Sequence, residues 1–139
     1  MLARADSTAL DAAFAQLALL PTTQWQWLRR PETGLVMVRG RIGGSGAKFN
    51  LGEVPVTRCT VRLENGTTGT AWVRGRDARH AERAAQLDAL LQQPQYHDVV
   101  QRDVIAPMAR AQSCARELAS RKAAATTVAF YTLARGEDK

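Results

Sequence analysis

Cysteine is nearly absent from this sequence: Cys59 and Cys114 are the only two in 139 residues, and neither belongs to a CxxC pair or stands at metal-ligand spacing from a histidine. A zinc site built within the chain is not expected, and both cysteines read as buried thiols of a reducing compartment. Long apolar runs are missing as well. The stretch 17–20 is apolar, but Asp6 and Asp11 precede it without a cationic start or a small-residue cleavage site, which does not fit a secretory signal. No window approaches the roughly 18 apolar residues that a spanning helix requires, so a cytoplasmic protein with no membrane partner is the expectation. Acidic side chains are in deficit, 13 against 19 Lys and Arg, for a net charge of +6. The stretch from Arg29 to Arg83 holds eleven basic and five acidic side chains and so carries the whole excess. Sixteen of the basic residues are arginines, whose planar fork suits phosphate or carboxylate; an ordinary solvated basic face is the plain alternative.

What is present reads as one domain over residues 1–139, with no internal repeat and no flexible linker. Asp6 or Ser7 caps a first helix with Leu10, Phe14 and Leu17 on its apolar face and Pro21 at its end. Trp25 and Trp27 alternate with Gln24 and Gln26 in a first strand that Arg29, Arg30 and Pro31 terminate. Glu32, Thr33 and Gly34 then form a turn before a second strand over 35–42. Residues 43–52 hold four glycines and read as a loop, because glycine gives up too much backbone entropy inside a regular element. After Pro55, Thr57, Cys59, Val61 and Leu63 face one way, and Val56, Arg58, Thr60 and Arg62 the other. Asn65-Gly66 favours a tight hairpin turn into a returning strand over 67–74. Asp77 caps a helix that runs to about Gln93, and residues 96–105 fit a short helix ending in a loop. Pro107 starts a helix with Met108, Ala111, Ala115, Leu118 and Ala119 along one stripe, and a final strand covers 126–134. The fold class is α+β: a mainly antiparallel sheet of about four to five strands with helices packed on one face.

Several side chains could carry function. Gly43, Gly44, Ser45 and Gly46 invite a phosphate-loop reading but lack the GK[ST] ending and the strand-turn-helix frame; they serve either a hairpin-like crossover or contact with a ligand or partner. Arg76, Arg79, His80 and Arg83 recur at spacings of three and four at a helix start, where free amides already favour an anion. Arg76 and His80 are the leading candidates there, with Arg58 and Arg62 on the polar side of their strand. Cys59 lies on the apolar side of the same strand as a structural thiol. No nucleophile, base and orienting group fall together, so no catalytic residue is assigned, and no metal-ligand set is found.

The words Pro31-Glu32-Thr33-Gly34-Leu35-Val36, Gly43-Gly44-Ser45-Gly46, Phe49-Asn50-Leu51-Gly52-Glu53, Val56-Thr57-Arg58-Cys59 and Gly75-Arg76-Asp77-Ala78-Arg79-His80-Ala81-Glu82 occur in order, followed by Val128-Ala129-Phe130-Tyr131-Thr132 and Arg135-Gly136. Together they resemble the phosphonate metabolism PhnG family, the small G subunit of the bacterial carbon-phosphorus lyase system. The resemblance implies a non-autonomous subunit of a transferase. With H, I and L subunits it displaces adenine from MgATP by a phosphonate such as methylphosphonate, giving a ribose 1-phosphonate 5-triphosphate; a radical J subunit later cleaves the carbon-phosphorus bond. It also implies a two-fold core complex of G with H, I and J, in which the nucleosidase-like step is assigned to I. No cofactor is then bound by this chain alone, MgATP being a substrate of the complex. A permanent subunit should also expose apolar surface beyond what a monomer does.

Two other readings stay in view. A free-standing RNA-binding domain would suit the basic charge, but single-strand readers interleave aromatics with a basic sheet face, and Trp72 is the only aromatic between Phe49 and Tyr96; no nucleic-acid partner is expected. An independent phosphate-handling enzyme would have to use His80 and Arg76.

Overall fold

The first helix forms where the sequence caps it. In the computed structural model, which describes residues 1–17 and 24–126, the Asp6 carboxylate accepts from the Ala9 amide at 2.9 Å and opens α1, Ser7–Gln16. Leu10 and Leu17, seven residues apart, turn inward and are buried.

Three antiparallel strands follow, in the order β1-β2-β3: β1 Trp25–Arg41, β2 Lys48–Leu63 and β3 Thr68–Arg74. Two expectations are corrected here. The two N-terminal strands are one, because Pro31 is absorbed rather than terminating. The pairing of β1 with β2 shifts register between Trp27 and Arg29 and again between Arg29 and Glu32, so the missing proline donor falls within an irregularity of an edge strand, where it costs no ladder bond. Lys48–Gly52 also belong to β2, and the glycine segment shrinks to a tight turn. Gly43 and Gly44 take φ of 57° and 81°, a Cβ at Gly46 would lie 2.6 Å from the Ile42 carbonyl oxygen, and the Gly46 amide donates to that carbonyl at 2.8 Å. The described sheet therefore has three strands instead of four to five; the last expected strand, over 126–134, lies outside the described residues except for Thr126.

The β2–β3 turn carries Gly66 at φ 89°, with the Thr67 amide donating to the Asn65 side chain at 3.1 Å. Thr57, Cys59, Val61 and Leu63 of β2 and Ala71 and Val73 of β3 are buried beneath α2, Ala78–Leu91. That helix presents Ala81, Ala84, Ala85 and Ala89 to the sheet, and small side chains let it approach closely. At Gly69 the approach is closest: a Cβ there would stand 2.0 Å from the Ala85 carbonyl oxygen and 2.5 Å from the Ala89 nitrogen. Helix α3, Pro94–Val100, passes through a π-turn, Gln101–Ile105, into α4, Ala106–Ala125. Val100, Val104 and Met108 join the core. Beyond them α4 leaves the body, so the stripe expected to pack does so only at Met108 and is solvated from Ala111 on, with Leu118 47% exposed. Cys114, expected to be buried, is exposed on the same helix, just past Gln112, whose side chain donates to the Met1 carbonyl at 3.2 Å.

Since β3 pairs with β2 only from Val56 to Arg62, residues 35–41 and 48–55 continue past the body as a two-stranded arm. Pairing across it puts Leu35 opposite Pro55 and Met37 opposite Glu53 on the side facing α2's layer, and Val36 opposite Val54 on the other side.

Candidate functional site

Cationic side chains gather in two places, and their surroundings differ. The first is the start of α2. Gly75, at φ 106°, turns the chain out of β3, and its amide donates to the Pro55 carbonyl at 2.8 Å. The Thr57 hydroxyl donates to the Gly75 carbonyl at 2.7 Å; having spent its one hydrogen, it accepts from Thr33 at 3.0 Å. Asp77 caps the helix by accepting from the His80 amide at 2.9 Å, and also accepts from the Ser7 hydroxyl at 2.9 Å. These donors hold the Asp77 carboxyl below the usual carboxylate range, the His80 amide contributing most and Ser7 next.

Much of this helix start serves the fold. His80 is 6% exposed, and its Nε2 lies 2.9 Å from the Leu2 carbonyl oxygen; a carbonyl only accepts, so Nε2 carries the hydrogen. Arg79 donates to Asp11 at 3.0 Å. Arg83 stands 3.7 Å from the same carboxylate and places its guanidinium 4.2 Å from the centre of the Phe14 ring. Ser7, Asp11 and Phe14 thus form a seam that clamps α1 to α2. Sequence reasoning missed this partner set, although the spacing of four and three along α1 matches that of the residues it meets. Arg76 alone of the set is exposed with no ion pair among the described residues.

The second gathering is the sheet face turned away from α2. Register brings Glu32 beside Arg58 and Arg58 beside Trp72. The Glu32 carboxylate accepts from Arg29 and from Arg58 Nε at 2.6 Å, and Arg29 first and Arg58 second hold its carboxyl below the usual range. The Arg58 guanidinium lies 5.5 Å from the centre of the Trp72 ring, an attractive cation–π separation. One carboxylate between two arginines leaves a positive surplus, to which exposed Arg62 and Arg74 add. Alternation along β2 and β3 does bring Arg58, Arg62 and Arg74 to one face, but it does not bring them to Arg76, Arg79 or His80.

The remaining candidates stand apart. Gly43, Gly44, Ser45 and Gly46 cap the tip of the arm, where Arg41 donates to the Gly46 carbonyl at 3.1 Å. Cys59 is fully buried; its thiol lies 3.5 Å from the Arg29 carbonyl oxygen, and burial foremost pushes it up to about 11. Among the described residues no three His, Cys, Asp or Glu side chains converge as metal ligands, and no described helix is long and apolar enough to cross a membrane.

The described residues thus define a small α+β protein with an arginine-rich sheet face, a clamped helix start and a projecting arm. It belongs to the PhnG family: the family model for "Phosphonate metabolism protein PhnG" matches residues 1–136. Among curated proteins, the chain is 47% identical over 111 residues to the alpha-D-ribose 1-methylphosphonate 5-triphosphate synthase subunit PhnG of Rhizobium meliloti (strain 1021), covering 80% of this chain and 70% of that one.

Proposed function

We propose that this chain is the G subunit of an α-D-ribose 1-methylphosphonate 5-triphosphate synthase. The reading is carried by its 47% identity to a protein of that name across 80% of its length. The reaction forms a bond from a phosphonate oxygen to C1′ of MgATP and breaks the glycosidic bond, adenine keeping the bonding pair and leaving as the neutral base with the proton that the phosphonate hydroxyl gives up. The chain works in this reaction as a partner of H, I and L subunits and shares a core complex with H, I and J. Its own cofactor requirement is nil, and its place is the cytoplasm.

Its contribution is electrostatic. Arg58, Arg62 and Arg74 on the sheet face and, separately, Arg76 at the start of α2 supply cationic donors of the kind that stabilise a triphosphate or meet carboxylates of a companion. His80 and Arg79 support Arg76 by fixing the start of the helix that follows it. A nucleophile and base within this chain are not required, which suits a non-autonomous subunit better than an independent phosphate-handling enzyme or an RNA-binding domain.

The test is reconstitution with the companion subunits, MgATP and methylphosphonate, followed by adenine release. Omitting this chain should abolish release. Arg76→Ala and Arg62→Ala should lower it by raising the KM for MgATP if they meet the triphosphate, or by weakening assembly at unchanged KM if they meet a companion. Release at the parent rate without this chain would overturn the reading.

A further inference from the structure

The arm is hard to reconcile with a chain that works alone. A two-stranded ribbon is marginally stable in water and needs a covered apolar face or a third strand, yet residues 35–41 and 48–55 have neither among the described residues. Leu35 and Leu51 are 62% and 66% exposed, and Met37 and Phe49 exceed two fifths. The apolar groups lie on both sides. Leu35 and Met37 share the face of Pro55, Val36 stands opposite Val54 on the other, and Val38, Leu51 and Val54 line, with Glu53, a shallow groove that ends at Arg74. Exposed apolar surface on one side would suit a flat contact; exposure on both suits a slot that closes around the ribbon.

Charge selects the occupant. Arg39, Arg41 and Lys48 occupy the distal part of the arm and form no ion pair among the described residues, whereas Glu53 is the only acidic residue between Leu35 and Pro55. Two copies of the chain docking arm to arm would bring like charges together. A protein with an apolar slot and carboxylates around its mouth is complementary on both counts. We infer that the arm, residues 35–55, is the element by which this chain inserts into such an acid-rimmed companion; the inference rests on the subunit reading above.

The experiment uses the full chain and purified companion subunits. Wild-type affinity should fall as NaCl rises. Leu35→Ser and Leu51→Ser should each weaken assembly by about tenfold or more, and the triple reversal Arg39→Glu, Arg41→Glu, Lys48→Glu should slow association and invert its response to salt. Because these side chains are exposed, the melting temperature of the free chain should be unchanged. A photo-crosslinking residue in place of Met37 or Leu51, in the otherwise wild-type chain, should join to a companion subunit. Crosslinking only to a second copy of this chain, or undiminished assembly by all arm variants while adenine release persists, overturns the arm's role and leaves the subunit reading standing. Failure of the wild-type chain to bind any companion overturns both.

Discussion

Cys59 and Cys114 carry the same thiol in opposite surroundings. The alternation of β2 places Cys59 with Val61 and Leu63 on the buried face, and this much is legible from the sequence because a strand has only two faces. Cys114 lies beside the apolar stripe of α4, which is solvated beyond Met108, and is exposed with it; periodicity along a helix shows that one side is apolar, not that anything covers it. The expected chemical difference is large, since the thiolate is the reactive form. At pH 8 a maleimide should modify Cys114 in the folded chain at least about a hundredfold faster than Cys59, whose thiol is both inaccessible and pushed up to about 11. Comparable rates, read by peptide mass spectrometry, would contradict this burial. Residues that act through distant partners were the least legible. Asp11 meets Arg79 across 68 positions, and no local pattern announces a pairing of that length.

Between elements, the decisive contact is one the sequence hides. Gly69 lies in β3, where glycine is normally unfavourable, and its role becomes visible only when α2 is laid against the sheet. Substituting alanine there forces the helix away from the strand at two backbone atoms, so Gly69→Ala should lose about 1–3 kcal/mol or more, in the manner of overpacked cores. Gly34→Ala, whose Cβ would meet nothing within 4 Å, should leave stability within about 0.5 kcal/mol. Urea titrations of both variants check the contrast. The hairpin at Asn65-Gly66 and the cap at Asp77 were readable because each is settled within four residues. Merging of the two N-terminal strands was not, since Pro31 and Gly34 signal a break locally while β2 pairs on both sides of Pro31 across a register shift and continues past Gly34. Likewise the alternation of Phe49 and Leu51 with Lys48 and Asn50 was a strand signal outweighed by the glycines around it.

For the molecule as a whole, acid should act through the α1–α2 junction. The Asp77 carboxyl is held below its ordinary value by the His80 amide and the Ser7 hydroxyl, so in the interval between its folded and unfolded pKa the unfolded chain binds more protons. The stabilisation is complete above the unfolded pKa of roughly 4 and disappears as pH falls through the folded one. Asp77→Asn keeps a capping oxygen without that titration. Its stability should therefore fall less steeply than the parent's as pH drops below about 4, as melting temperatures followed downward from there would show; parallel slopes would remove Asp77 from the account. The projecting ribbon has a consequence of another kind, for the cell that makes the chain. β1 is a 17-residue edge strand whose residues 35–38 are apolar on both sides, and such edges recruit other strands. A copy synthesised in excess is an orphan whose most adhesive segment is its most exposed one, so expression in balance with whatever covers that segment becomes a condition of solubility, and proteolytic removal of surplus copies would begin at the arm.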